Sequence, residues 1–453
     1  MQLKRPGASL RSNLLAASCT LLGATAVHAD DNTDPTLAKA EAQTSVDSAL
    51  AYYREGKGRV SAIEPVVTLR ADFGDERVLG LKFTFDSLSG GTPNGAVPST
   101  KAQTFASPSG KSLNSAPQTY TTASGQLAVI SAPIYIVNPG QLPLDPKYHD
   151  QRLALSADYQ LPLSRLMRTT LGGALSYEHD FLSASVNASL ARDFNDKNTT
   201  VSIGANGEFD AVQPIGGAPI PGSDYTLFEK VGNHSKHDGN VVAGVTQVMT
   251  RRWLTDFSLS YDQLKGYLND PYKIVSIVDP GGNVTGYLYE KRPESRTRKS
   301  AFLENRVALD RVMVGITARY MTDDWDIRSE TVQLRLRWWD QDRDRYLEPN
   351  FRWYKQTAAS FYTPWLSSTG PTTIGAASAD SRLGAFHALT AGLKYAAKFD
   401  DSSGPDGSEL SVRAEYYRQT QDHQVPGPGV LAGLDLYPGL TAILVSVEWR
   451  WKY

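Results

Sequence analysis

One feature constrains this chain more than any other: a two-residue alternation of apolar and polar side chains, clearest over residues 441–453. One set there reads Ile443, Val445, Val447, Trp449, Trp451 and Tyr453; the interleaved set reads Ser446, Glu448, Arg450 and Lys452. A strand sends successive side chains to opposite faces, whereas a helix of period 3.6 would mix the two sets. The alternation recurs. Leu79, Leu81, Phe83 and Phe85 are interleaved with Gly80, Lys82 and Thr84, and Val332, Leu334, Leu336 and Trp338 with Gln333, Arg335 and Arg337. Clusters of Gly, Pro, Asp, Asn and Ser separate these segments. Alternating segments of about ten residues with turn residues between them are weak signals singly and a strong one together, for a barrel whose apolar face meets lipid and whose polar face lines the interior.

The segments fall near residues 48–55, 59–71, 77–86, 150–160, 169–178, 182–192, 199–209, 239–248, 252–262, 300–309, 312–321, 328–338, 346–356, 384–397, 408–419 and 440–453. The expected fold is therefore all-β, a transmembrane antiparallel up-and-down β-barrel of about 16 strands. Fourteen or eighteen strands are the alternatives, because the short hairpin of 274–278 with 285–289 reads as strand too. The connections give an independent check. Every second one is short (72–76, 161–168, 193–198, 249–251, 310–311, 339–345, 398–407). The long ones (87–149, 210–238, 263–299, 357–383, 420–439) all fall at the other rim. Short periplasmic turns and long extracellular loops are the rule for such barrels. Trp253, Trp338, Trp339, Trp449 and Trp451 gather at the turn rim, where an indole prefers the lipid headgroup level.

The N-terminal stretch carries Lys4, Arg5 and Arg11, then an apolar run from Leu14 to Val27 and Val27-His28-Ala29 before Asp30. This pattern is that of a cleavable signal peptide over residues 1–29, followed by a short periplasmic segment, 30–46, and the barrel, 47–453. It places the protein in the outer membrane of a Gram-negative bacterium, with lipid and the barrel-assembly machinery as partners. Cys19 is the one cysteine. The mature chain thus offers no disulfide and no thiolate ligand. A net charge of −2 leaves no basic footprint for nucleic acid. The terminal aromatic with aromatics two and four places before it, together with Val447, resembles the signal by which outer-membrane proteins are recognised for insertion; Val447, Trp449, Trp451 and Tyr453 are its candidates.

Several strings carry a family resemblance. They are Tyr52-Tyr53-Arg54-Glu55, then Gly58-Arg59-Val60-Ser61-Ala62-Ile63-Glu64-Pro65, then Leu81-Lys82-Phe83-Thr84-Phe85-Asp86-Ser87-Leu88-Ser89-Gly90-Gly91-Thr92-Pro93-Asn94-Gly95-Ala96. Together they resemble an uncharacterised domain-of-unknown-function (DUF) family of bacterial outer-membrane β-barrel proteins. The resemblance implies a barrel and carries no activity, substrate or catalytic residue. Such proteins are often encoded beside thioredoxin-like proteins, small lipoproteins and a flavin transferase, which hints at periplasmic partners.

No Gly-x-Ser-x-Gly elbow, phosphate loop or His-Glu-x-x-His occurs, so the expectation is no enzyme and no cofactor. Asp340, Asp342 and Asp344 have carboxylate spacing that suits a cation, but the central glycine of a calcium loop is missing and a polar turn is the better reading. His234 and His237 are expected as solvated loop residues. The functional signal is the inward charge. Alternation directs Glu64, Lys82, Arg319, Arg335, Arg337, Glu348, Arg352, Arg413, Glu415, Glu448 and Arg450 into the lumen, which is wide enough for water at about sixteen strands. Two functions follow. One is a porin-like channel or transporter for small solutes, gated by the loop 87–149, its arginine-rich wall favouring anions. The other is a non-conducting scaffold that anchors periplasmic or surface partners, redox proteins among them.

Overall fold

The computed structural model describes residues 42–452 apart from 92, 108–117, 122–126, 131–133, 146–147, 215–216, 226–229, 371–373, 400–407 and 423. The expected signal peptide, residues 30–41, the terminal Tyr453 and nearly all of the turn 398–407 lie outside the described residues.

Sixteen antiparallel strands close on themselves in chain order. They are β1 (Gln43–Glu55), β2 (Ser61–Asp72), β3 (Val78–Ser89), β4 (His149–Ser164), β5 (Met167–Glu178), β6 (Phe181–Phe194), β7 (Thr199–Val212) and β8 (His234–Thr250). The second half comprises β9 (Trp253–Gly266), β10 (Ser295–Ala308), β11 (Val312–Asp323), β12 (Arg328–Trp339), β13 (Arg345–Gln356), β14 (Phe386–Phe399), β15 (Ser408–Gln421) and β16 (Leu440–Lys452). The seam pairs β1 with β16, from Ser45 opposite Lys452 to Glu55 opposite Ala442. Closure pairs each wall strand with two neighbours and leaves no edge strand, as a hydrocarbon surround requires.

The outward face is apolar and exposed: Leu50, Ile63, Val67, Leu155, Leu175, Val186, Ile203, Leu259 and Ile316 all lie on it. A soluble protein cannot show such a belt to water, and lipid is the medium that covers it. Aromatic side chains bound the belt. On β9, Trp253 stands at the turn rim and Tyr261 eight residues further on, both outward and exposed. At about 3.3 Å per residue and a tilt of about 40°, that spacing spans about 20 Å along the barrel axis, close to the apolar band of such barrels. Tyr52, Tyr177, Tyr320 and Tyr416, also outward and exposed, lie toward the loop-rim ends of β1, β5, β11 and β15. Trp338 and Trp449 join Trp253 at the turn rim, and Trp449 stacks on Trp451. Trp339 departs from the expected set. It falls on the inward parity, beside Tyr346 and under the guanidinium of Arg337, and so helps to floor the lumen rather than face lipid.

Two other details differ from the sequence reading. β1 starts at Gln43, taking into the wall the last residues of the stretch 30–46. Ser45 and Asp47 there pair with Lys452 and Arg450, so polar side chains hide the strand. The hairpin of Ile274–Val278 and Val284–Tyr289 is not in the wall. Ile274, Val275 and Val278 are all buried, so neither of its faces is left to lipid.

That hairpin is the centre of a cap over the loop rim. Ile274–Val278 also pairs, in parallel, with Trp365–Ser367 from the loop after β13. Phe105 and Tyr135 from the loop after β3 pack with Tyr225 from the loop after β7 and with Tyr287 and Tyr289, ring centroids 5.2–6.2 Å apart. The loop after β15 touches the hairpin at Gly429, whose φ is 50°; a Cβ there would lie 1.9 Å from the carbonyl oxygen of Gly281, so only glycine fits.

Candidate functional site

The lumen is built by parity. Each candidate residue sits on the inward face of its strand: Glu64 on β2, Lys82 on β3, Arg319 on β11, Arg335 and Arg337 on β12, Glu348 and Arg352 on β13, Arg413 and Glu415 on β15, Glu448 and Arg450 on β16. Seven of them form ion pairs with one another or with neighbouring strands. Arg337 donates from Nε to Glu348 at 2.6 Å, and Arg413 donates to Glu415 at 3.3 Å and lies 3.8 Å from Glu348. Arg335 donates to Glu304 at 2.8 Å, and so does Arg306 at 2.9 Å. Lys394 of β14 donates to Glu448, and Arg450 crosses the seam to Asp47 at 2.6 Å. The arginine-rich wall is thus more compensated than the sequence reading implied, because Glu304 reaches Arg335 from two strands away and Asp47 reaches Arg450 across the closing seam. Glu64, Lys82, Arg319 and Arg352 make no ion pair among the described residues. Arg319 donates to the hydroxyl of Ser300, and Arg352, two-thirds of the way along β13, is exposed.

The inward charges are unevenly distributed around the circumference. On β7 to β9 they are Glu208, Asp210, Lys236, Asp238, Asp256 and Asp262, and on β3 and β4 Lys82, Asp86, Asp150, Arg152 and Asp158. On β11 to β13 they are Arg319, Asp323, Arg335, Arg337, Glu348 and Arg352, and on β10 Arg296, Arg298, Glu304 and Arg306. One wall is mainly carboxylate and the other mainly guanidinium. They meet between β9 and β10, where Arg298 holds Asp262 at 2.6 Å and Asp238 at 3.7 Å.

The cap carries a second charged group that sequence reasoning missed. Arg292 bonds Glu290 at 2.7 Å and Asp380 at 3.0 Å, all three essentially fully buried. Ser378 donates to Glu290, Arg382 bridges Asp380 and Asp270, and Lys273 donates to the carbonyl of Pro93. Three loops are thereby stapled together. Burial disfavours ionisation of Asp380, but Arg382, Lys273 and Arg292 outweigh it and hold the carboxyl well below the usual range; burial lowers the Lys273 ammonium. The residues lie 88 or more positions apart across the loops, and no local spacing announces them. The clue in the sequence is the apolar content of the loop itself (Leu268, Ile274, Val275, Ile277, Val278), unusual for a solvated connection.

The cation candidates resolve as ordinary structure. Asp340 Oδ1 accepts from the backbone N–H groups of Asp344 and Arg345, and Arg343 takes the left-handed φ of 60° that this tight turn needs. His234 and His237 lie on β8, not in a loop, and on opposite faces; His234 stacks on Tyr267 and His237 packs against Phe209, so they cannot share an ion. Asp150, His179 and Asp180 place ligand-type atoms within 4.8 Å of one another. There His179 already pairs with Asp150, and Tyr272 donates to Asp180.

A family model described as "Protein of unknown function (DUF3570)" matches residues 11–451. No curated relative matches the chain. Among solved structures it is similar to a ferric enterobactin receptor mutant of Pseudomonas aeruginosa, with 10% identity over 90% of this chain and a TM-score of 0.40; the chain spans 60% of that receptor's length. It is also similar to the outer membrane protein opdK of the same organism (9% identity, 91% of this chain and 99% of that one, TM-score 0.37) and to a FadL homologue from it (12%, 90% and 89%, 0.36). These values are too low to carry a function across.

Proposed function

The chain belongs to the DUF3570 family, and from the barrel it folds into we propose that it is a porin-like outer-membrane channel or transporter for small solutes, with no catalytic role. The observation that carries this reading is Arg352, an exposed guanidinium inside a closed wall with no ion pair among the described residues. A buried charge without a partner is prohibitively costly, so water must reach the middle of the lumen. Arg335 and Glu448, with side chains 40% and 42% exposed, extend the wet surface toward the turn rim. The lumen would open to the periplasm through that rim, and the cap would control passage at the outer one. Partners on this reading are membrane lipid and the barrel-assembly machinery.

A second reading has its own support. The cap buries aromatic and ionic groups across the loop rim, as a non-conducting scaffold for periplasmic or surface proteins would. Purified protein in a planar bilayer separates the two. Discrete conductance steps are expected from a channel. Silence from protein whose heat-modifiable migration shows a folded barrel would sink the channel reading.

A further inference from the structure

The uneven lumen charge says more than that water enters. Along β3 to β9 the inward acids include Asp86, Asp158, Glu208 and Asp256, and the arc from β11 to β15 carries Arg319, Arg335, Arg337, Arg352 and Arg413. In a sixteen-strand ring β4 and β12 are diametrically opposed, so the two arcs confront each other across the lumen. Most members of each arc are paired, but the pairs on one side sit within a net negative surface and those on the other within a net positive one. Low-dielectric walls focus such a potential into the water between them.

We propose that the lumen carries a transverse electric field that favours small zwitterionic solutes, those bearing one ammonium and one carboxylate. A monovalent ion gains at one wall and loses at the other. A neutral polar molecule has only a small dipole to align. A zwitterion presents its cation to the acid arc and its carboxylate to the guanidinium arc, and is stabilised by both. Net ion selectivity is correspondingly weak, because anions and cations each have a conducting wall. Free, water-exposed charges are the ones a passing solute meets; Arg352 on the basic arc and Asp158 on the acidic arc, exposed and without an ion pair among the described residues, are that pair.

The inference rests on the channel reading, and liposome swelling tells the two apart. Purified protein in neutral phosphatidylcholine vesicles is challenged at pH 7 with β-alanine and with lactamide, isomers of which only the first is a zwitterion. β-Alanine should enter about two- to fivefold faster, the factor expected of a charge pair in contact with water. The double variant Asp158→Asn with Arg352→Gln should bring β-alanine to the lactamide rate and leave lactamide unchanged. Wild-type reversal potentials in a potassium chloride gradient should stay near zero. Entry of neither solute by folded protein would remove the channel reading itself. Lactamide as fast as β-alanine, a preference that survives the double variant, or a strong one-sided ion selectivity would overturn the field while leaving a channel in place.

Discussion

Glu304 engages two arginines at once, Arg306 and Arg335, with its own side chain only 6% exposed. A carboxylate in that position neutralises part of the basic arc, and its removal uncovers positive charge in a wet lumen, where substitutions alter selectivity more than folding. Glu304→Gln should therefore raise the anion-to-cation permeability ratio on the order of twofold, read from reversal potentials; an unchanged ratio would mean that permeating ions do not approach β10. Asp380 is the opposite case, a carboxylate among three cations. Asp380→Asn leaves Arg292, Arg382 and Lys273 with only Glu290 and Asp270 as carboxylate partners, and removing one partner of a buried ion pair costs about 3–5 kcal/mol. The cap should loosen, seen as new proteolysis within 267–294 in folded protein. The pH sign follows from the depressed carboxyl. Its stabilisation is complete above the unfolded value of about 3.9 and is lost only as pH falls through the still lower folded value. Resistance of the wild-type cap to protease should thus be level between pH 8 and 5, and a midpoint near neutrality would assign its closure to other groups.

The elements divide into those the sequence displays and those it conceals. A wall strand meets two different media, so its alternation is visible in one segment at a time; β12 and β16 need no knowledge of their neighbours. The cap hairpin of Ile274–Val278 and Val284–Tyr289 meets protein on both faces and shows no such contrast. Its contacts run from Val97 to Ser276, a separation of 179 residues, and nothing local encodes them. The inward residues were legible for the same reason as the strands, but their partners were not, since Arg450 finds Asp47 403 residues away through barrel closure. Two element-scale outcomes follow. Ile203 points outward from β7 and is exposed; Ile203→Arg should cost about 2–4 kcal/mol if it lies near the bilayer midplane, lowering the heat-modifiable folded fraction, whereas Ser202→Arg on the same strand, facing the lumen, should cost much less. Equal losses would mean that the outer face of β7 is not in lipid. Deleting residues 449–453 removes the part of β16 that pairs Ser45 to Ser48 of β1. Membrane fractions should then lack the protein, and normal levels would separate assembly from Trp449 and Trp451.

At the scale of the whole molecule, the two rims are chemically distinct, and that distinction fixes orientation. The turn rim has short connections and tryptophan; the loop rim has the cap and a ring of tyrosine. Long loops would be translocated outward and short turns left behind, which puts the cap at the cell surface and the wet, charged end of the lumen toward the periplasm. The chain is well suited to a direct test, since Cys19 in the expected signal peptide is its single cysteine. Ser368, in the loop after β13, and Asp342, in the turn after β12, are both exposed, and each accepts cysteine without touching the wall. With a membrane-impermeant maleimide on intact cells, Ser368→Cys should be labelled and Asp342→Cys should be silent until the outer membrane is permeabilised. Labelling of Asp342→Cys alone would turn the barrel over, place the cap in the periplasm, and change its proposed role from a gate facing the medium to a plug facing the cell. Labelling of both in intact cells would instead mean that the reagent passes the barrel, and Asp380→Asn should then increase the rate at Asp342→Cys, because the loosened cap is the barrier that the probe has to cross.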